Sequence, residues 1–255
     1  MQDDRPTWLK PPAKLHLTQQ EVHLWFADLV VSPAQLQQFS QSLSADEQQR
    51  AARFRFAEDR DRFIATRGIL RQILGRYLSI PPQQVEFCYA DRGKPALNQT
   101  VHATPLQFNL SHSHACALYA ITATQAVGVD LEWLRPVTDL AGLTQRFFAA
   151  AEHQAIQALP AEQQTQAFFQ VWTCKEAVLK ATGSGLAELA AVEVAIADGA
   201  VRLVQASGGT WQVYSLTPAP NWVAAIALAP LDDPSDSWNF TFWQWCNPTE
   251  LGEII

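Results

Sequence analysis

The segment GVDLEW places two carboxylates two residues apart, at Asp130 and Glu132. Strand periodicity turns Gly128, Asp130 and Glu132 to one face and Val127, Val129 and Leu131 to the other. Like charges so close raise each other's pKa unless a cation or a basic group lies between them. Paired oxygen ligands suit Mg²⁺, which takes one or two carboxylates, several waters and the oxygens of a substrate phosphate. Gly128 is expected to leave room for that substrate. An ordinary exposed strand face explains a lone DxE pair better, so a second element has to decide.

That element is FFQVWTCKEAVLKATGSG, where Trp172, Glu176 and Lys180 are spaced four apart and so form one helical stripe. An aromatic, a carboxylate and an ammonium then stand on successive turns. Two further segments suit an anion. FNLSHSH gathers Asn109, Ser111, His112, Ser113 and His114 at the end of a strand, where hydroxyls, imidazole and backbone amides converge. DRGKP carries Arg92 and Lys94 on a tight turn shaped by Gly93 and Pro95. Each has a plain structural explanation by itself; their conjunction points to a phosphate-handling site.

The elements that must position these groups follow from periodicity. Phe63, Ile64, Leu70, Ile73, Leu74, Tyr77 and Leu78 recur at three- and four-residue steps, which predicts an amphipathic helix over about 59–78 with Arg60, Arg67 and Arg71 on its polar side. Strands are predicted near 85–89, 106–110 and 116–122, and helical patterns near 138–158. A helix over about 163–182, stopped by GSG, is followed by strands near 192–196, 201–205, 211–217 and 222–229. FIATRGILRQILG and FFQVWTCKEAVLKATG are weakly alike, so the fold class is α+β: two related α+β subdomains, 1–125 and 126–255, the second carrying the metal site. The tail SWNFTFWQW suggests an added strand, with a docking patch as the other reading.

Composition narrows the class. With 48% hydrophobic residues the chain can bury a substantial core, and neither a signal peptide nor a membrane span is evident, which gives a cytoplasmic protein without membrane attachment. The four cysteines form no CxxC pair, so neither a zinc site nor a disulfide framework is expected. A net charge of −7 speaks against general nucleic-acid binding, but eight arginines between Arg50 and Arg76 make a basic island suited to a polyanion or to a solvated face.

The order RFxxxxDRxRF, GKP, FNLSHS, GVDLE and FxxVWTCKEAVLKATGSG resembles the Sfp-type 4′-phosphopantetheinyl transferases from about Arg50 to Ala229. The resemblance implies a monomeric pseudo-dimer of two similar halves, with coenzyme A in the cleft between them and Mg²⁺ at its pyrophosphate. It implies Asp130, Glu132 and Glu176 as metal ligands, Lys180 near the phosphates and Lys175 as a further phosphate contact. Ser111, His112 and Arg50 match positions near the 3′-phosphate, and Arg92, Gly93, Lys94 and Pro95 match the adenine and ribose side. Glu47 falls where some relatives carry a second basic residue, which leaves the 3′-phosphate contacts open. The implied partner is an apo acyl or peptidyl carrier protein, whose serine receives phosphopantetheine while 3′,5′-ADP leaves.

On this reading Glu176 accepts the serine proton and Lys180 steadies the leaving phosphate. A silent binding module and a nucleotide pyrophosphate hydrolase are the rival readings. Arg67 and Arg71 are expected to serve either coenzyme A or the carrier, and breadth toward carriers is expected rather than a single partner.

Overall fold

The structure, a computed structural model, describes residues 5–90, 92–197, 200–206, 209–233 and 235–246. The chain begins with β1 (Glu21–Asp28), α1 (Pro33–Ser42), α2 (Ala45–Ala52) and α3 (Ala57–Leu78), then β2 (Phe87–Tyr89), β3 (Pro95–Leu97), β4 (Gln107–Ser113) and β5 (Cys116–Thr122). The same order then recurs. It runs β6 (Val127–Trp133), α4 (Leu140–Phe147), α5 (Ala150–Gln157), α6 (Ala161–Thr182), β7 (Glu193–Ala197), β8 (Ala200–Gln205), β9 (Gln212–Leu216) and β10 (Trp222–Leu228), with β11 (Asn239–Gln244) added at the end.

The sheets repeat as well. One runs β11-β1-β5-β4 and the other β6-β10-β9, so strands 1, 5 and 4 correspond to 6, 10 and 9, and each half adds a hairpin, β2-β3 or β7-β8. The fold is α+β.

Period-2 alternation on the central strands splits the apolar residues among three cores. Trp25, Ala27, Tyr119 and Ile121 face α1 and α3. Val223, Ala225 and Ala227 face α6. Their alternates Val22, Leu24, Leu118 and Ala120 meet Val129, Leu131, Ala224 and Ile226 between the two sheets. The sheets therefore face each other, with helices outside each. Among the described residues no helix is long and apolar enough to cross a membrane.

Two expectations are corrected. First, α3 has no polar stripe along its middle: every residue from Ile64 to Gly75 is buried, Arg67 and Arg71 included. Glu47 of α2, 2% exposed, takes both guanidinium groups, Arg67 on Oε1 and Arg71 on Oε2, each Nε within 2.7 Å. Arg71 also donates to the carbonyls of Pro82 and Val85. α1, α2 and the segment after α3 cover the face that would otherwise be wet, and a carboxylate with two cations makes that burial tolerable.

Second, Gly128 makes room for a helix rather than for a substrate. A Cβ there would lie 2.0 Å from the Ala177 carbonyl and 2.4 Å from the Ala181 nitrogen, so the missing side chain lets α6 lie directly on β6.

The aromatic tail forms the expected added strand: β11 pairs in parallel with β1 from Glu21↔Asn239 to Phe26↔Gln244. The end of the span 126–255 thus completes the sheet of the first half.

Candidate active site

α6 ends where Gly183 takes a left-handed conformation (φ 77°). It is laid on β6 by the contact at Gly128. This brings Lys180 to Asp130, Nζ to Oδ1 at 2.6 Å. Lys180 also donates to Ser111 Oγ at 2.9 Å, and Ser111 donates to the same Asp130 Oδ1 at 2.9 Å. Glu132, two residues along β6, accepts on Oε2 from Ser113 Oγ at 2.8 Å and from Arg135 at 2.9 Å. Each acid is therefore held through one oxygen by a serine of β4 and a cation.

The opposite oxygen of Asp130, Oδ2, is buried without a protein partner, and so is Glu176 Oε1. Glu176 is pushed up to about 7, first by burial and then by the charges of Asp130 and Glu132, with Lys180 opposing. Burial likewise raises Asp130, and Lys180 counters it. Among the described residues no three His, Cys, Asp or Glu side chains lie close enough together to enclose a cation by themselves. Two orphaned carboxylate oxygens, on Asp130 and Glu176, fit a divalent cation whose remaining ligands are waters and substrate oxygens.

Beside the acids opens a cleft of about 380 Å³ between α3, the β2-β3 turn, β4 and the end of α6. Arg50, Arg92, Gly93, Lys94, Pro95, Ser111, His112 and Lys180, all expected at the site, line it. Arg50 sits over the Phe63 ring at 5.4 Å. Gly93 adopts φ 79°, which turns the chain between Ala90 and Lys94. Lys94 donates to the Ala181 carbonyl at 3.1 Å, and burial pulls its pKa down to about 8. His112 is exposed as a residue, yet the surrounding wall, then Lys180 and Arg62, hold its imidazole below the ordinary histidine range. Arg92 reaches across to Glu188 at 3.1 Å.

Lys175 does not reach this cleft. Its side chain is wholly buried, 2.9 Å from Glu152 Oε2, and donates to the carbonyls of Leu189 and Val192. One residue's step around α6 turns it by roughly 100° from Glu176, into the core beneath β7, so the expected phosphate contact is corrected to a buried structural pair. Trp172, at the far end of the stripe, lies with Phe147 and Phe168 in the same core.

Sequence reasoning missed Thr66 and Tyr89 of the cleft wall. The Tyr89 hydroxyl is held by Arg67 at 2.8 Å. No spacing signal marks Tyr89, whose place depends on the hairpin folding against α3. The serine contacts to the acids were legible in principle, because Asn109, Ser111 and Ser113 are spaced two apart on one strand face.

Five cations, Arg50, Arg67, Arg92, Lys94 and Lys180, line the cleft beside carboxylates with unpartnered oxygens, an arrangement suited to a phosphate-rich ligand. Comparison with known proteins makes the class specific. Residues 126–227 match the family model described as the 4′-phosphopantetheinyl transferase superfamily, and residues 30–125 match the one described as 4′-phosphopantetheinyl transferase, N-terminal. The chain is 46% identical over 239 residues to the 4′-phosphopantetheinyl transferase HetI of Nostoc sp., covering 94% of this chain and 98% of the relative. It is 36% identical over 152 residues to the 4′-phosphopantetheinyl transferase psf-1 of Bacillus pumilus, 60% of this chain and 63% of the relative. With the 4′-phosphopantetheinyl transferase Sfp of Bacillus subtilis it shares 25% identity over 214 residues, 83% of this chain and 93% of the relative. The chain belongs to the 4′-phosphopantetheinyl transferase superfamily.

Proposed function

We propose that the chain transfers the 4′-phosphopantetheine group of coenzyme A to a serine of apo acyl or peptidyl carrier proteins in a Mg²⁺-dependent reaction, releasing 3′,5′-ADP. Coenzyme A lies between the halves 1–125 and 126–255. The observation that carries this is the adjoining of a cationic cleft and two buried carboxylate oxygens without protein partners, Asp130 Oδ2 and Glu176 Oε1.

Arg50, Arg92, Lys94 and Lys180 give the cleft the charge that a nucleotide with a 3′-phosphate and a pyrophosphate requires. Asp130, Glu132 and Glu176 would hold Mg²⁺, and the bound cation would supply charge neutralisation at the pyrophosphate.

The serine hydroxyl oxygen forms a bond to the phosphorus next to the pantetheine arm as the bond from that phosphorus to the ADP oxygen breaks. Glu176 accepts the serine proton as the bond to phosphorus forms. Lys180, one turn on, steadies the oxygens of the departing 3′,5′-ADP. The internal repeat supplies both halves of the cleft from one chain, which supports a monomer, and the cytoplasm is the compartment where coenzyme A and carriers meet.

Glu176→Gln tests the assignment. The variant should bind coenzyme A in calorimetry like the parent and lose about 100-fold or more in transfer rate, the scale of a general base. A parental rate would remove Glu176 from that role.

A further inference from the structure

β4 and β6 are the edge strands of the two sheets and share no backbone ladder. Side chains join them instead. Asn109 Oδ1 accepts from the Val129 nitrogen at 2.9 Å, Ser111 donates to Asp130 at 2.9 Å, and Ser113 donates to Glu132 at 2.8 Å while accepting from the Trp133 nitrogen at 3.3 Å. His114 closes the seam, its ring stacked on Trp133 at 4.5 Å. Every second residue of β4 thus meets the next station along β6.

We infer that this seam is the positioning frame of the acid pair: Ser111 and Ser113 of the first half orient Asp130 and Glu132 of the second for cation binding, with Ser113 the residue that fixes Glu132. The inference rests on the proposed metal role of the acids and adds what aims them. A carboxylate on a strand can rotate about its terminal torsion. Here one oxygen of each is tied by a hydroxyl and a cation, Ser111 with Lys180 on Asp130 Oδ1 and Ser113 with Arg135 on Glu132 Oε2. With that oxygen fixed, the other oxygen of Asp130 is left without a protein partner. Outer contacts of this kind typically set metal affinity by 10- to 100-fold. Arg135 is a weaker hold on Glu132 than Ser113, because its side chain is 47% exposed and an ion pair in solvent contributes little, whereas the Ser113 contact is part-buried. Ser113 is the better test than Ser111, since Ser111 also lines the cleft and touches Lys180.

The experiment titrates Mn²⁺ into the protein with coenzyme A bound, reading free Mn²⁺ by electron paramagnetic resonance against a blank of coenzyme A alone. Ser113→Ala should bind Mn²⁺ about tenfold more weakly than the parent, and Ser113→Thr, which keeps the hydroxyl, should bind as the parent does. Parental affinity in Ser113→Ala, or equal weakening in the threonine variant, overturns the positioning role while leaving the proposed function intact. A parent that binds no Mn²⁺ above the blank overturns the metal assignment itself.

Discussion

Lys180 Nζ stands 2.6 Å from Asp130 Oδ1, while Oδ2 of the same carboxylate is buried and has no protein partner. The lysine ties α6 to β6 and fixes one side of the acid while the other side remains available. Removing the cation should leave a buried carboxylate without its charge partner. Lys180→Met is expected to destabilise the metal-free protein by about 3 kcal/mol, and adding Asp130→Asn should recover much of that loss. Urea unfolding of the two single variants and the double variant measures the coupling, and additive losses would show that the pair contributes nothing jointly.

The Glu47, Arg67 and Arg71 cluster predicts a stability effect where the sequence suggested a contact to coenzyme A or to the carrier. Glu47→Ala leaves two buried guanidinium groups facing each other and should cost about 3–5 kcal/mol. Arg71, 1% exposed, should likewise lower the unfolding midpoint when changed to alanine, with no selective loss for the carrier. Steady-state constants for carrier and coenzyme A, measured beside urea midpoints, check this; a carrier-specific KM increase at unchanged stability would contradict it.

At Gly128 the contact is backbone on Cβ, so no side-chain rotation can relieve it. Gly128→Ala should push α6 off β6, lower stability by about 1–3 kcal/mol and separate Lys180 from Asp130, with transfer falling further than stability alone would dictate. Transfer rates taken well below the variant's melting temperature test this, and parental activity there would contradict it.

His23 gives a pH prediction away from the site. Burial pulls its pKa from 6.5 to about 4, and its Nδ1 lies 2.6 Å from the Tyr77 hydroxyl. The unfolded chain takes up this proton below about pH 6.5 while the folded one resists until about pH 4, so the stability contribution is present above 6.5 and lost as pH falls through that window. The full loss amounts to roughly 3 kcal/mol. His23→Gln should therefore show a shallower decline in unfolding free energy between pH 7 and pH 5 than the parent, and parallel declines would contradict the assignment.

Much of this arrangement was legible in the sequence because period and spacing carried it. The DxE alternation on β6 and the four-residue stripe on α6 each predicted which groups share a face, and Asp130, Glu176 and Lys180 do converge. What escaped depended on contacts far apart in sequence. α3 carried arginines at helical spacing, but whether they face water was decided by α2 and by Glu47, twenty residues upstream of Arg67. Lys175 sits beside Glu176 in the chain, yet the partner that claims it, Glu152, lies on another helix. Gly128 read as space for a ligand because sequence does not tell which neighbour fills the space. The pairing of β11 with β1 joins segments more than two hundred residues apart, and aromatic content alone does not choose that edge.

The central claim is transfer to a carrier, and intact mass spectrometry of the carrier tests it most directly. Incubated with this protein, coenzyme A and Mg²⁺, an apo carrier protein should gain the mass of one phosphopantetheine group on its serine, with one 3′,5′-ADP released per modified carrier. Release of 3′,5′-ADP with the carrier mass unchanged would contradict the account and make the site a hydrolase.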